Sequence, residues 1–116
     1  MSSTTIYLPP TTQRWLRNSP ITPYVLVYLD YLTKCRYADE TTEHYLAGLA
    51  HLGLWMRLNH LRIEELDEVV VTQFLEEHLP NCDCPRPIFQ TRADLNAACG
   101  HFLRILRDHG AISHHL

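Results

Sequence analysis

No stretch of this 116-residue chain approaches the roughly 20 consecutive apolar residues that cross a bilayer as a helix, which argues against a helical membrane span. The opening residues, MSSTTIYLPPTT, lack the charged start and apolar middle of a secretion signal. Cysteine is scarce and irregularly spaced. Cys35, Cys82, Cys84 and Cys99 are too few for the disulfide framework of a small secreted protein, so reduced thiols are expected. A soluble, cytoplasmic protein follows from these three absences. Basic residues are in short supply as well: ten Lys and Arg face thirteen Asp and Glu, for a formal charge of -3. That balance argues against a phosphate grip based on bulk charge alone. Catalytic signatures are missing too, with no HExxH, no glycine-rich phosphate loop and no paired carboxylates. Asp30, Asp39 and Asp108 have no partner at a useful spacing, and the eight histidines are scattered. Neither an enzymatic centre nor a cofactor is expected.

What the chain does have is a globular balance, 46% apolar and 20% charged, sufficient for one core but not two. Residues 1–21, rich in Ser, Thr and Pro, read as a flexible arm with at most a turn of helix over 12–17. Thr22 and Pro23 then suit a helix start, and Val25, Tyr28, Leu29 and Leu32 mark one face of a first helix over 23–34. A second helix is expected over 41–58, capped by Asp39 or Thr41, with Gly48 and Gly53 placed to let another element approach. A third starts near Ile63 or Asp67 and ends before Pro80, with Leu66, Val69, Val70, Phe74 and Leu75 inward. Its Val-Val-Val run is β-prone, but the i, i+3/i+4 pattern favours helix. Residues 81–89 form a loop, and a fourth helix over 91–109 buries Leu95, Ala98, Phe102, Ile105 and Leu106 before Gly110 closes it. The expected fold is all-α, a compact bundle of four main helices.

The charge is unevenly placed. Between Arg62 and Leu79 six acids face only Arg62, and removing that stretch leaves the remainder slightly basic, at about +2. One cluster has the flavour of a metal site: His78, Cys82 and Cys84, with Cys99 or His101 to complete a tetrahedron. A Cys-x-Cys pair suits one tetrahedral ion less well than Cys-x-x-Cys, so reduced structural thiols are the expectation.

Residues 36–56 carry a resemblance. Ala38, Thr41, Tyr45, Leu49, Leu52 and Trp55 fall in the register of the second helix of the core-binding, SAM-like N-terminal domain of the tyrosine recombinase (phage integrase) family. Phe102, Leu103, Leu106, Gly110 and Ile112 resemble that domain's closing pattern, and the likeness covers residues 24–112. The chain departs from the pattern at Ala38, where Ser is usual, at Glu43 and His44, where Arg or Lys is frequent, and at Gly100, near a commonly basic position. The resemblance implies a domain organisation of an arm over 1–21, a helical core-binding domain over 22–112 and, at 113–116, the start of a linker to a catalytic domain absent from this chain. The function it implies is DNA clasping and orientation in a site-specific recombinase or integrase of the kind carried on mobile elements, with double-stranded DNA and other recombinase protomers as partners. Tyr45 is then a packing residue, because the family's nucleophilic tyrosine belongs to the absent domain.

A groove-reading helix needs amide donors at its start and long polar side chains along one face. Thr41, Thr42, His44, His51 and Arg57 supply such groups on the second helix, and Arg92, Asn96, Arg104 and Arg107 on the fourth, with Arg86 just before it. Arg92 and Asn96 stand at i, i+4 and share a face. On this reading the two helices lie side by side with the acidic third helix turned away. The competing class is a helical protein–protein interaction module that uses the acidic third helix, of the death-domain-like or sterile-alpha-motif-like kind.

Overall fold

The computed structural model describes residues 7–79 and 91–112. Every regular element among them is helical, as the periodicity predicts. The order is α1 (Pro10–Arg17), a 3-10 turn (Thr22–Tyr24), α2 (Val25–Lys34), α3 (Asp39–Leu58), a 3-10 turn (Ile63–Glu65), α4 (Glu68–Gln73), which runs on as a π turn (Phe74–His78), and α5 (Arg92–Asp108). No helix of the described residues is long and apolar enough to cross a membrane.

The arm expected over 1–21 is corrected from residue 10 onward. Pro10 occupies the first turn of α1, where a missing N–H costs nothing, and Thr12, Trp15 and Leu16 share one buried stripe. That stripe lies on α3. Ile21, just beyond, is wholly buried. Thr22 also departs from its expected part. Its hydroxyl turns back, donating to the Leu16 carbonyl at 2.8 Å and accepting from Ser19 N–H at 3.1 Å, so it fastens the exit of α1 rather than capping α2.

Helix α3 is the axis of the fold. Residues 46–54 are all buried, so the middle of this helix is covered on every side, with His51 the one polar side chain in that stretch. Helices α1, α2 and α5 and the π turn surround it. Its cap differs from expectation as well: Ala38 is the N-cap with no side-chain bond, and Asp39 and Glu40 fall in the first turn, where carboxylates face the positive end of the helix dipole. Gly53 does serve close approach. A Cβ there would sit 2.5 Å from Ser19 Oγ and 2.8 Å from Ile21 Cγ1, so the α1–α2 connection could not lie where it does against any larger residue.

Asp67 caps α4, its carboxylate accepting from Val70 N–H at 2.9 Å. The valine run is helical as expected, but Val69 faces solvent at 66% exposure and Val71 takes the inward place. The inward stripe continues through Phe74 and Leu75 into the π turn. Thr91 and Asp94 form a reciprocal capping box that starts α5. Gly110, at φ 73°, ends it in the left-handed conformation expected of a glycine C-cap. Tyr28 joins α2 to α5 deep in the core, donating to the Ala98 carbonyl at 2.9 Å and standing edge-on to Phe102 at 5.7 Å. Burial holds the Tyr28 hydroxyl well above its ordinary pKa.

Candidate nucleic-acid interface

The wrapping of α3 decides what that helix can offer a ligand. Thr42 and His51 are 3% and 5% exposed, so neither can reach a duplex, which corrects two of the expected contacts. The His51 ring is a packing element, 5.2 Å from Phe74, 5.3 Å from His78 and 6.0 Å from Trp15. Thr41 and His44 are half-buried near the start of the helix. Arg57 is exposed but lies at the opposite end, about 24 Å along the axis from Thr41 at the helical rise. Glu43 is engaged by the chain's first described residue, accepting from Tyr7 N–H at 2.7 Å. The expected common face of α3 and α5 is therefore reduced to its α5 half, although the two helices do pack side by side.

On α5 the acidic element is a neighbour rather than turned away. Arg107 donates to Glu68 at 2.6 Å and Arg92 to Glu76 at 3.4 Å, so α4 and its π turn run antiparallel to α5 with an ion pair at each end. The Arg107 side chain is only 17% exposed, whereas the Arg92 pair stands largely in solvent. Between these pairs Asn96, Gly100 and Arg104 lie on exposed turns of α5, lining a groove of about 240 Å³ shared with Glu68 and Thr72. Arg104 carries no ion pair among the described residues. Nothing lies within 4 Å of where a Cβ on Gly100 would be, which leaves the space above this turn open. Arg86 lies outside the described residues.

A second constellation flanks Arg104 on its other side. The imidazole of His101 is bonded through both nitrogens, Nδ1 to the Tyr31 hydroxyl at 3.1 Å and Nε2 to the Tyr37 hydroxyl at 3.2 Å. Tyr45 stands 5.3 Å from the same ring and 5.4 Å edge-on from Tyr37. The three tyrosines come from α2, the α2–α3 turn and α3. That turn is set by Arg36, which adopts the left-handed conformation at φ 62°. Burial and the Arg104 guanidinium both lower the His101 pKa, which favours the neutral imidazole. Burial raises Tyr31, as does Cys35, with Arg104 acting the other way; burial, then Tyr37 and Asp94, raise Tyr45. Tyr45 is accordingly a half-buried member of a polar cluster as well as a packing residue. The sequence signal for this cluster is the concentration of five of the six tyrosines between residues 24 and 45.

Among the described residues no group of three or more His, Cys, Asp or Glu is placed to hold a metal ion. His78 stacks on Phe74 at 5.6 Å, while Cys82 and Cys84 lie outside the described residues. Of the residues that would complete the set, His101 has both nitrogens occupied, and Cys99 is buried with its thiol pushed up to about 12.

No protein-family model matches the chain, and no curated protein or solved structure matches it at a significant level.

Proposed function

We propose that this chain is a DNA-binding domain of the tyrosine-recombinase N-terminal type, which grips the phosphate backbone through the exposed face of α5 and supplies clasp rather than chemistry. The observation that carries this reading is Arg104. It is exposed, makes no ion pair among the described residues, and stands on turns shared with Asn96 and Gly100, away from the buried stripe of Leu95, Phe102 and Leu106. The family-like register adds support, since Leu49, Leu52, Phe102, Leu103, Leu106 and Ile112 all fall in one core. Arg92 and Arg107 contribute only where a phosphate displaces Glu76 or Glu68. Binding is then weak and strongly salt-dependent. Replacing Arg104 by Ala should weaken binding to duplexes of any sequence, while Arg14→Ala on the exposed side of α1 should leave it unchanged. Equal affinity of both variants and wild type at low salt would sink the reading.

A second reading rests on Val69. It stands exposed on α4 among Glu68, Thr72, Gln73 and Glu76, an apolar contact ringed by acid that suits a basic protein partner. Loss of partner binding, but not of DNA binding, in a Val69→Asp variant would favour it.

A further inference from the structure

We infer that Gly100 opens a notch across α5 that seats one phosphodiester of a duplex DNA backbone beneath Arg104, at the groove α5 shares with α4. The inference deepens the DNA-binding reading and rests on it for the identity of the ligand. What it adds is a point of close approach, at a residue with no side chain of its own.

Gly53 makes room for Ser19 and Ile21, and Gly110 takes a left-handed conformation. Gly100 does neither. It sits in the middle of α5, outside the left-handed region, and no atom of the described residues lies within 4 Å of where its Cβ would be. Glycine is the poorest helix former after proline, so nothing within the described fold accounts for it there. The space it leaves faces outward, onto the groove of about 240 Å³. Buried Val71 and Leu103 give that groove an apolar floor. Its charged lining is two guanidiniums, Arg104 and Arg107, against the single carboxylate of Glu68, which leaves one positive charge in excess. Glu68 is taken up by Arg107 at 2.6 Å, whereas Arg104 carries no ion pair among the described residues. An anion complements such a lining. Helical side chains lean toward the N-terminus, so Arg104, one turn beyond Gly100, inclines over the notch, and Asn96, one turn before, bounds it. A helix is 10–12 Å across with its side chains but only about 2.3 Å in Cα radius, so a strand at the notch lies roughly 3 Å nearer the axis than elsewhere. At that depth the phosphate meets the fork of the guanidinium, the geometry that holds two of its oxygens at once.

The test compares wild type, Gly100→Gln, Arg104→Ala and the double variant in anisotropy titrations of a labelled mixed-sequence duplex at low salt, with urea denaturation alongside. Glutamine fills the notch without changing the charge and is a better helix former than glycine. Gly100→Gln should therefore raise the urea midpoint while weakening duplex binding roughly tenfold, the scale of one hydrogen bond to a charged group. The double variant should bind little worse than Arg104→Ala, because a phosphate shut out of the notch no longer meets Arg104. Should Arg104→Ala weaken binding while Gly100→Gln does not, the DNA reading stands and the notch falls. Additive losses in the double variant overturn the notch as well, since Arg104 would then act without it. A lowered urea midpoint in Gly100→Gln overturns it from the other side, by showing that the chain itself fills the space. If wild type ignores the duplex altogether, the DNA reading fails and takes the notch with it.

Discussion

Replacing Glu68 and Glu76 by Gln should turn a weak DNA binder into a stronger one. Both carboxylates are spent on arginines of α5, Glu68 on Arg107 at 2.6 Å and Glu76 on Arg92 at 3.4 Å. The double substitution removes two negative charges beside the proposed backbone contact and takes from Arg92 and Arg107 the carboxylates they pair with. Each additional phosphate contact steepens the dependence of log affinity on log salt by about 0.9, so two would add about 1.8. Over a fourfold change in salt, that slope corresponds to roughly twelvefold more salt sensitivity than wild type. The cost in stability should be small. The Arg92 pair is largely exposed and contributes a few tenths of a kcal/mol, and the better-covered Arg107 pair about 1 kcal/mol. Fluorescence anisotropy of a labelled duplex across a salt series measures the first quantity, and urea denaturation the second. An unchanged slope in a folded double variant would refute the reasoning, because it would mean that neither arginine meets a phosphate.

Phe102 is wholly buried and edge-on to Tyr28, so Phe102→Ala should cost about 3–5 kcal/mol in chemical denaturation; a loss under 1 kcal/mol would show that α5 is not seated as described. Gly53→Ala should destabilise by about 1–3 kcal/mol through overpacking against Ser19 and Ile21, and adding Ser19→Gly should recover part of that loss by removing the nearest atom. The contribution of His101 should depend on pH. Because its folded pKa is lowered, its stabilising effect is complete above about 6.5, the unfolded value, and declines as pH falls below that toward the folded pKa. The stability difference between wild type and His101→Gln should therefore shrink on acidification, and a difference that stays constant or grows between about pH 7.5 and 5 would contradict the assignment.

The helical class and the positions of α2, α3 and α5 were legible because the spacing of apolar residues acts within one helix, and because Gly110 marks the end of α5. Features that depend on a distant partner were not. Trp15 and Leu16 look like an arm until α3 lies beneath them, and His51 looks like a polar surface residue until Trp15, Phe74 and His78 surround it. Val69 and Val71 differ only in which way α4 is rolled, something three consecutive valines cannot specify. The site was affected in the same way. Arg104 is legible as a polar residue on a helix face, whereas His101 and Tyr37 are 64 residues apart in sequence and meet only through the fold. Likewise, nothing local to Arg92 or Arg107 announces that Glu76 and Glu68 will lie beside them.

The burial of the middle of α3 on every side bears on how the chain is made. A helical stretch with no exposed side has no stable resting place at a water interface, so residues 46–54 of α3 depend on their neighbours arriving. Synthesis proceeds from the N-terminus, which delivers α1 and α2 before α3 but delivers α4 and α5 only afterwards. For that interval α1 and α2 shield one flank while the surface destined for Leu95, Phe102 and Leu106 has nothing to cover it. A nascent chain arrested before α5 is therefore the species most prone to stick to others. Shortened versions of this protein that end ahead of residue 92 should collect in the insoluble fraction rather than circulate as smaller folded domains.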